Sequence, residues 1–367
     1  MSETRRIYVA DAVDPRVRVP MREITLSEGD AHLRVYDATG PYGEGPVDGA
    51  LPDLRAPWVA ERFGTQLYAA RRGWITTEMR FAAIREGLSP AVVRRGIAEG
   101  RIVLPANTVH AACEPMLLGR SVGVKVAAAL GSADPVGPLL HGGADVLWVP
   151  DPLAARAQQP SIVQRSPVPV VARWQTAESF ADLARSGADI VTLAPAGLHH
   201  AVDPLDVMDV AMEYDVVLAL ETDGSAAALE IAWQWVRVAW NHDVQVLVQT
   251  VDAGPAASVQ SSIASAIDDF ADAPLFARGA LLTAVAPDQT AAARQAGAVV
   301  TGLSGVSLLL ATTDGLSTTI PSLSGYRRAA HVVNVSRGLP RAVERDAAMH
   351  DACVDGRWDD VAALSVR

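Results

Sequence analysis

The stretches HGGADVLWVP (His141–Pro150) and RSGADIVTLA (Arg185–Ala194) carry one phrase, Gly-Ala-Asp followed by an apolar run. A run of this length without polar alternation fits a strand covered on both faces, as in a parallel sheet. The glycine suits the left-handed residue that ends a helix before the chain turns into the next strand. Outward from these phrases the pattern repeats. Strand candidates are Val122–Ala128, Asp145–Val149, Val168–Ala172, Asp189–Leu193, Asp215–Leu220, Asp243–Val248, Ala280–Val285 and Gly297–Thr301, separated by alanine-rich segments of helical period. Gly297-Ala298-Val299 is a weaker echo of the phrase. Eight strands alternating with helices predict an α/β fold with a (β/α)8 TIM-like barrel over residues 121–325.

Residues 1–120 read differently. Pro/Gly-rich turns (Gly40-Pro41-Tyr42-Gly43, Gly45-Pro46) and few strand runs precede a helical stretch over Thr77–Glu99, which predicts a separate N-terminal α+β domain. Residues 326–367 are expected to add C-terminal helices. The segment Ser225–Asn241, with Trp233, Trp235 and Trp240, is apolar nearly all round, so it is expected to pack against the barrel and a second surface, such as a subunit interface. The uncharged run Ala296–Thr313 reaches membrane-spanning length, but its glycines, serines and threonines favour two short barrel elements over a membrane helix.

Composition narrows the function. Of the 367 residues 50% are hydrophobic and 20% charged, enough apolar side chain for a folded core. The net charge is −11, from 31 basic and 42 acidic residues. That balance argues against nucleic acid or an anionic membrane as partner and favours a small-molecule ligand. Two cysteines, Cys113 and Cys353, supply neither a disulfide framework nor a thiolate metal set. The N-terminus lacks the apolar core of a secretory signal. The expected compartment is the cytoplasm.

Several phrases together resemble the phosphomethylpyrimidine synthase (ThiC) family. They are Met21-Arg22-Glu23-Ile24, Tyr36-Asp37-Ala38-Thr39-Gly40-Pro41-Tyr42, TQLYAARRGWITTEMRFAAIREG (Thr65–Gly87) and LPANTVHAACEPMLLGRSVGVKV (Leu104–Val126). SPVPV (Ser166–Val170), WNHDVQVLV (Trp240–Val248), DAPLFARGALLT (Asp272–Thr283) and RWDD (Arg357–Asp360) follow in the same order. The resemblance spans nearly the whole chain. It implies a (β/α)8-barrel dimer using a [4Fe–4S] cluster and S-adenosylmethionine to rearrange aminoimidazole ribotide into hydroxymethylpyrimidine phosphate.

Most of the residues that this resemblance assigns to the chemistry are replaced. The family's three-cysteine motif is expected after RWDD, yet the sequence runs only to Arg367, and a site-differentiated cluster needs three thiolates. Ala253 and, roughly, Ala291 stand at the family's two metal-binding histidines. Ala127 and Ala129 stand at substrate-binding asparagines, Trp148 at a strand-end methionine, and Ala194 at a histidine. A Ser-Arg-Gly phosphate-binding segment is missing after Leu198, and Asp223-Gly224-Ser225-Ala226 replaces a second. Gln249 replaces a glutamate, and Phe276 a tyrosine. Scaffold phrases survive while cluster, zinc, S-adenosylmethionine and phosphate sites are lost together, so no cofactor is expected.

In a parallel barrel, functional side chains project from the C-terminal strand ends. That rule selects Glu221, Asp223 and Gln249 as candidate catalytic residues, with Arg173 and Asp252 as candidate substrate-binding residues; the resemblance adds Trp148, at the family's strand-end methionine, and Arg80 and Asn107, which lie in phrases shared with the family and could border the mouth. Thr222, Thr250 and Asp151 also follow strands, although polar residues end most strands. Lys125, the chain's one lysine, is a fourth catalytic candidate because it sits within an apolar strand. It either holds a ligand or pairs with a barrel carboxylate such as Glu221. Arg80, Asn107, His110, Glu114 and Arg120 also fit polar contacts between domains. His199-His200 reads as exposed loop, and Cys113 as an inert small hydrophobe.

Two functions follow. One is a non-radical, lyase- or isomerase-like enzyme acting on a small polar or heterocyclic metabolite in cofactor or specialised metabolism. The other is a catalytically inactive relative that pairs with, or regulates, an intact cluster-bearing homologue; under either reading the chain is expected to form a homodimer or a heterodimer with a homologue. Phosphomethylpyrimidine synthase activity itself is a third, disfavoured by the replaced residues.

Overall fold

At the two Gly-Ala-Asp phrases the backbone turns as the sequence requires: Gly143 and Gly187 have φ of +105° and +96°, a region costly for any residue with a Cβ. Each aspartate then fastens its strand to the preceding one. Asp145 Oδ2 accepts the N–H of Val126 and Asp189 Oδ2 that of Val170, both at 2.9 Å. The aspartates' own N–H groups donate back to the carbonyls of the same two residues, at 2.9 and 3.0 Å. One short phrase therefore sets register between neighbouring strands twice.

A computed structural model describes residues 4–26, 32–37, 53–131, 136–149, 166–174, 180–193, 203–223, 225–250, 273–277, 291–311 and 318–365. Three antiparallel strands, β1 (Thr4–Ala10), β2 (Arg18–Thr25) and β3 (His32–Tyr36), form an N-terminal sheet. Four helices follow: α1 (Ala56–Glu61), α2 (Gln66–Arg71), α3 (Thr77–Glu86) and α4 (Pro90–Ala98). The helical stretch expected over Thr77–Glu99 is thus two helices. Gly87, at φ +74°, ends the first, and Pro90 opens the second after the Ser89 N-cap. A short antiparallel pair, β4 (Ile102–Val103) and β5 (Leu118–Gly119), leads into the barrel.

The barrel is closed by eight parallel strands: β6 (Lys125–Ala129), β7 (Val146–Val149), β8 (Val170–Arg173), β9 (Ile190–Leu193), β10 (Val217–Thr222), β11 (Val246–Thr250), β12 (Leu275–Ala277) and β13 (Leu308–Ala311). They pair in chain order, and β13 returns to β6. Alternate residues such as Ala127, Trp148, Ile190, Ala219 and Phe276 form one packed interior, closed below by Val103, Met116 and Leu118. The expected (β/α)8 barrel with an N-terminal α+β part is what the chain forms.

The last strand differs from expectation. Gly297–Thr301 lies inside helix α9 (Ala291–Leu303). Ala298 and Thr301 are buried while Val300 and Leu303 are 54% and 51% exposed, the spacing of a helix face. The true eighth strand, β13, lies further along the same uncharged run. Gly305, at φ +113°, makes the turn expected of Gly297. Ala280–Val285 lies outside the described residues, and β12 precedes it.

Between the strands lie α5 (Val136–Gly142), α6 (Phe180–Arg185), α7 (Pro204–Tyr214) and α8 (Ala226–Asn241). Helix α8 is capped by Ser225, whose hydroxyl accepts from Ala228 N–H at 3.3 Å. It buries Trp235 against the barrel's outer layer. Its Trp240 packs on the N-terminal helices, with the Arg71 guanidinium 4.1 Å from the ring. The second surface expected for this helix is therefore the chain's own N-terminal part.

Helix α10 (Ile320–Ser336) covers α9, β6 and α5. It runs across position 326, so the boundary expected there falls within one helix. Helices α11 (Pro340–Val354) and α12 (Trp358–Ser365) return to the N-terminal sheet, where Ala348 and Leu364 join Ile24, Leu33 and Val35 in one cluster. Among the described residues no helix is long and apolar enough to cross a membrane.

Candidate active site at the barrel mouth

Four consecutive strands, β8 to β11, each send one polar side chain inward near the C-terminal end of the barrel. Glu221 and Gln249 are register partners on β10 and β11. Gln249 Nε2 donates to Glu221 Oε1 at 3.1 Å, and Arg173 Nη2 donates to Glu221 Oε2 at 3.3 Å. Thr192 Oγ1 donates to Gln249 Oε1 at 3.0 Å. Because the amide oxygen of Gln249 is taken by Thr192, its nitrogen is left to face the carboxylate. The amide orientation is thereby fixed.

The four side chains differ in access. Thr192 and Gln249 are fully buried, and the Glu221 side chain is 5% exposed. Arg173, on the other hand, keeps 41% of its side chain exposed. The arrangement is a cation presented at the surface on a carboxylate that is itself anchored from below. Arginine has five donors and one is used for Glu221, so the guanidinium can hold a second oxyanion in its plane. Each Glu221 oxygen accepts one of these hydrogen bonds, and a carboxylate oxygen has lone pairs for two, so the group can take a proton from a ligand while Gln249 and Arg173 stay in place.

Of the sequence-selected residues, the fold brings Arg173, Glu221 and Gln249 together. Thr192 was missed. The signal was available: a polar residue at an inward position two places after Ile190. Asp223 lies two residues beyond Glu221, just past the end of β10, and is exposed. Its Oδ1 accepts from Ser225 N–H at 2.9 Å, and bonds from Ser225, hydroxyl and then backbone, hold its carboxyl below the usual range. It serves the start of α8. Asp252, Asp151 and His199-His200 lie outside the described residues.

The other candidates belong elsewhere. Lys125 is the first residue of β6, at the opposite end of the barrel from the mouth, and its Nζ donates to Glu86 at 2.6 Å. Its partner is a carboxylate on α3, not Glu221, because the strand starts at Lys125 and not three residues earlier. Arg80 pairs with Asp11 at 3.2 Å in the N-terminal part. The buried amide of Asn107 donates to the carbonyls of Ala184 and Ala188, at 2.8 and 2.7 Å. Trp148 is interior packing rather than a mouth residue. Arg80, Asn107 and Trp148 are structural groups where substrate contacts were expected.

Beneath the barrel, His110, Cys113 and Asp189 form the one triad of potential metal ligands among the described residues. Its geometry answers a structural need. His110 Nδ1 faces Asp189 Oδ2 at 2.6 Å and Nε2 faces the Ser166 carbonyl at 2.7 Å, while Asp189 also accepts from Asn107 N–H. No ring nitrogen is left for an ion. Burial, then the Asp189 charge, push the Cys113 thiol well above the usual range, away from the thiolate a metal requires.

The fold and mouth define a parallel (β/α)8-barrel protein with a polar site at its strand ends. Residues 65–137 and 205–367 match the radical SAM ThiC family, and residues 1–66 match the ThiC-associated domain. The chain belongs to the radical SAM ThiC family. Among solved structures it is similar to dihydropteroate synthases. That from Yersinia pestis is 14% identical at a TM-score of 0.48, covering 61% of this chain and 96% of that one. That from Vibrio fischeri ES114 is 11% identical at 0.47, covering 60% and 96%.

The family implies an iron–sulfur cluster, and the donor set can be tested against it. The two thiols are Cys113, buried beneath the barrel, and Cys353, exposed on α11. Three converging thiolates are needed, and the residues present do not fit the group. Of the positions that the resemblance marks for metal and substrate, Ala127, Ala129, Trp148 and Phe276 all lie in the packed interior. Ala291 opens helix α9, and Ala253 lies outside the described residues.

Proposed function

We propose that the barrel mouth is the site of ordinary two-electron chemistry, lyase- or isomerase-like, on a small polar metabolite that carries an anionic group. The metabolite belongs to cofactor or specialised metabolism. The observation that carries this reading is the Arg173–Glu221–Gln249–Thr192 chain, which holds one exposed guanidinium on a nearly buried carboxylate. Holding four polar groups in an apolar barrel costs desolvation free energy that apolar residues would have avoided. A binding role accounts for that cost.

Arg173 fixes the anionic group of the ligand. Glu221 accepts a proton from the ligand or returns it, and Gln249 keeps its carboxylate aimed. The interior alanines, Trp148 and Phe276 floor the site and keep water from reaching it through the barrel. No step is assigned to a cluster or to S-adenosylmethionine, because the thiols present cannot hold the first.

The test is retention of ligand. The protein purified at low ionic strength is denatured, and released small molecules are identified by mass spectrometry. An anionic metabolite bound at near one per chain, and lost in Arg173→Gln, supports the reading. Equal recovery from Arg173→Gln removes Arg173 from the site. An empty mouth in a chain that binds a cluster-bearing relative would favour the inactive-partner function.

A further inference from the structure

A cavity of about 220 Å³ opens at the other end of the barrel, between α4 and the β4–β5 pair. Its floor is apolar: Val92, Gly96 and Ile102. Gly96 has no room for a Cβ because the Ile102 side chain fills that space. The rim carries Arg95, Arg101 and Arg120, with Ser121 beside them. Arg120 and Ser121 fall between β5 and β6, so the cavity lies on the base side, away from Arg173.

Charge is unbalanced there. Among the described residues the lining holds one carboxylate, Glu99, and it pairs with Arg101. Arg95 makes no ion pair among the described residues and is exposed. Arg120 lies against Gly305, whose φ of +113° and missing Cβ leave space for the guanidinium, and Nη2 donates to the Ser304 carbonyl at 3.4 Å. Arg337 stands near enough that burial and then the Arg120 charge lower its pKa, and its buried Nη1 has no acceptor among the described residues. The chain carries a net charge of −11, whereas this lining holds three arginines against one carboxylate.

We propose that the cavity binds a phosphate-type dianion, free or as the monoester of a small alcohol, through Arg95, Arg101 and Arg120. Guanidinium groups match phosphate oxygens with paired donors, and Ser121 adds a hydroxyl. The volume is below the ~300–1,000 Å³ of drug-sized pockets, so the ligand is a phosphoryl group with a short substituent at most. The apolar floor suits such a substituent. The proposal is independent of the function assigned to the mouth.

Isothermal titration at low ionic strength with inorganic phosphate and with methyl phosphate tests it. Saturable one-site binding of either probe is expected, and the tighter of the two identifies the source. Arg95→Gln with Arg101→Gln should weaken binding about a hundredfold, about tenfold for each charge-assisted contact removed. Arg173→Gln should leave it unchanged. Arg95→Gln alone breaks no ion pair and keeps the comparison valid should the double variant unfold. Absence of saturable binding of both probes, or wild-type affinity in the arginine variants, overturns the proposal.

Discussion

Gln249 and Glu221 occupy matching positions on neighbouring strands, and the amide of one donates to the carboxylate of the other at 3.1 Å. The resemblance places a glutamate where Gln249 stands, and two carboxylates at this spacing would repel. The amide converts that repulsion into support: it receives Thr192 on one side and holds Glu221 on the other. With an amide at position 249, Glu221 is a single aimed carboxylate under Arg173.

Gln249→Leu leaves the Thr192 hydroxyl without its acceptor and Glu221 without one donor inside the barrel. A loss of about 2 kcal/mol is expected from urea unfolding, in the range for stranded buried polar groups. Gln249→Glu should be worse at pH 8 than at pH 5, because lowering the pH lets one of the two facing acids carry a proton. Equal stability of all three proteins would show that the network is not formed.

Lys125→Ala is expected to cost about 2 kcal/mol, since it strands Glu86 with little solvent around it. It should not change ligand retention at the mouth. Loss of ligand with unchanged unfolding would return Lys125 to the site.

Burial pushes the Glu114 carboxyl up to about 7 from 4.5, against the opposing effects of the Tyr36 hydroxyl and Arg85. Asp215 is raised likewise, to about 6 from 3.8, with Arg62 opposing. A carboxyl raised in the folded state favours its protonated form there. Its contribution is therefore complete below the unfolded pKa and is lost as pH climbs through the folded one. From these two groups, stability falls between about pH 4 and 7. Denaturant midpoints at pH 5.5 and 8 should show the fall in the wild type and a smaller one in Glu114→Gln, which still offers Tyr36 an acceptor. An identical fall in both proteins would dismiss the Glu114 contribution.

Gly143→Ala meets two obstacles, a φ of +105° and the Arg327 side chain lying where its Cβ would go. A destabilisation of at least about 1 kcal/mol is expected by thermal unfolding. Gly137→Ala, in α5 with open space around it, is the control and should be neutral or stabilising.

The barrel was legible because strands such as Val146–Val149, Val170–Arg173 and Ile190–Leu193 are short apolar runs rich in β-branched residues, and the aspartates of Gly-Ala-Asp repeat one hydrogen-bonding task; Leu275–Ala277 and Leu308–Ala311 carry no β-branched residue and were missed. Gly297–Thr301 misled because a short apolar run reads alike in a buried strand and in one turn of a covered helix. Arg173, Glu221 and Gln249 followed from the rule that parallel strands expose their C-terminal ends. Lys125 did not. A shift of three residues in where β6 begins moves it from mid-strand to the base. Asn107 and His110 sit in phrases shared with the family, yet their partners, Ala184, Ala188, Ser166 and Asp189, are distant in sequence, so no local pattern reveals them.

We propose that this barrel works without a radical initiated from S-adenosylmethionine. Anaerobic reconstitution with iron and sulfide, followed by S-adenosylmethionine and aminoimidazole ribotide under reducing conditions, tests it directly. The expected result is no stoichiometric four-iron cluster and no 5′-deoxyadenosine released. Formation of that nucleoside together with the hydroxymethylpyrimidine phosphate would contradict the account.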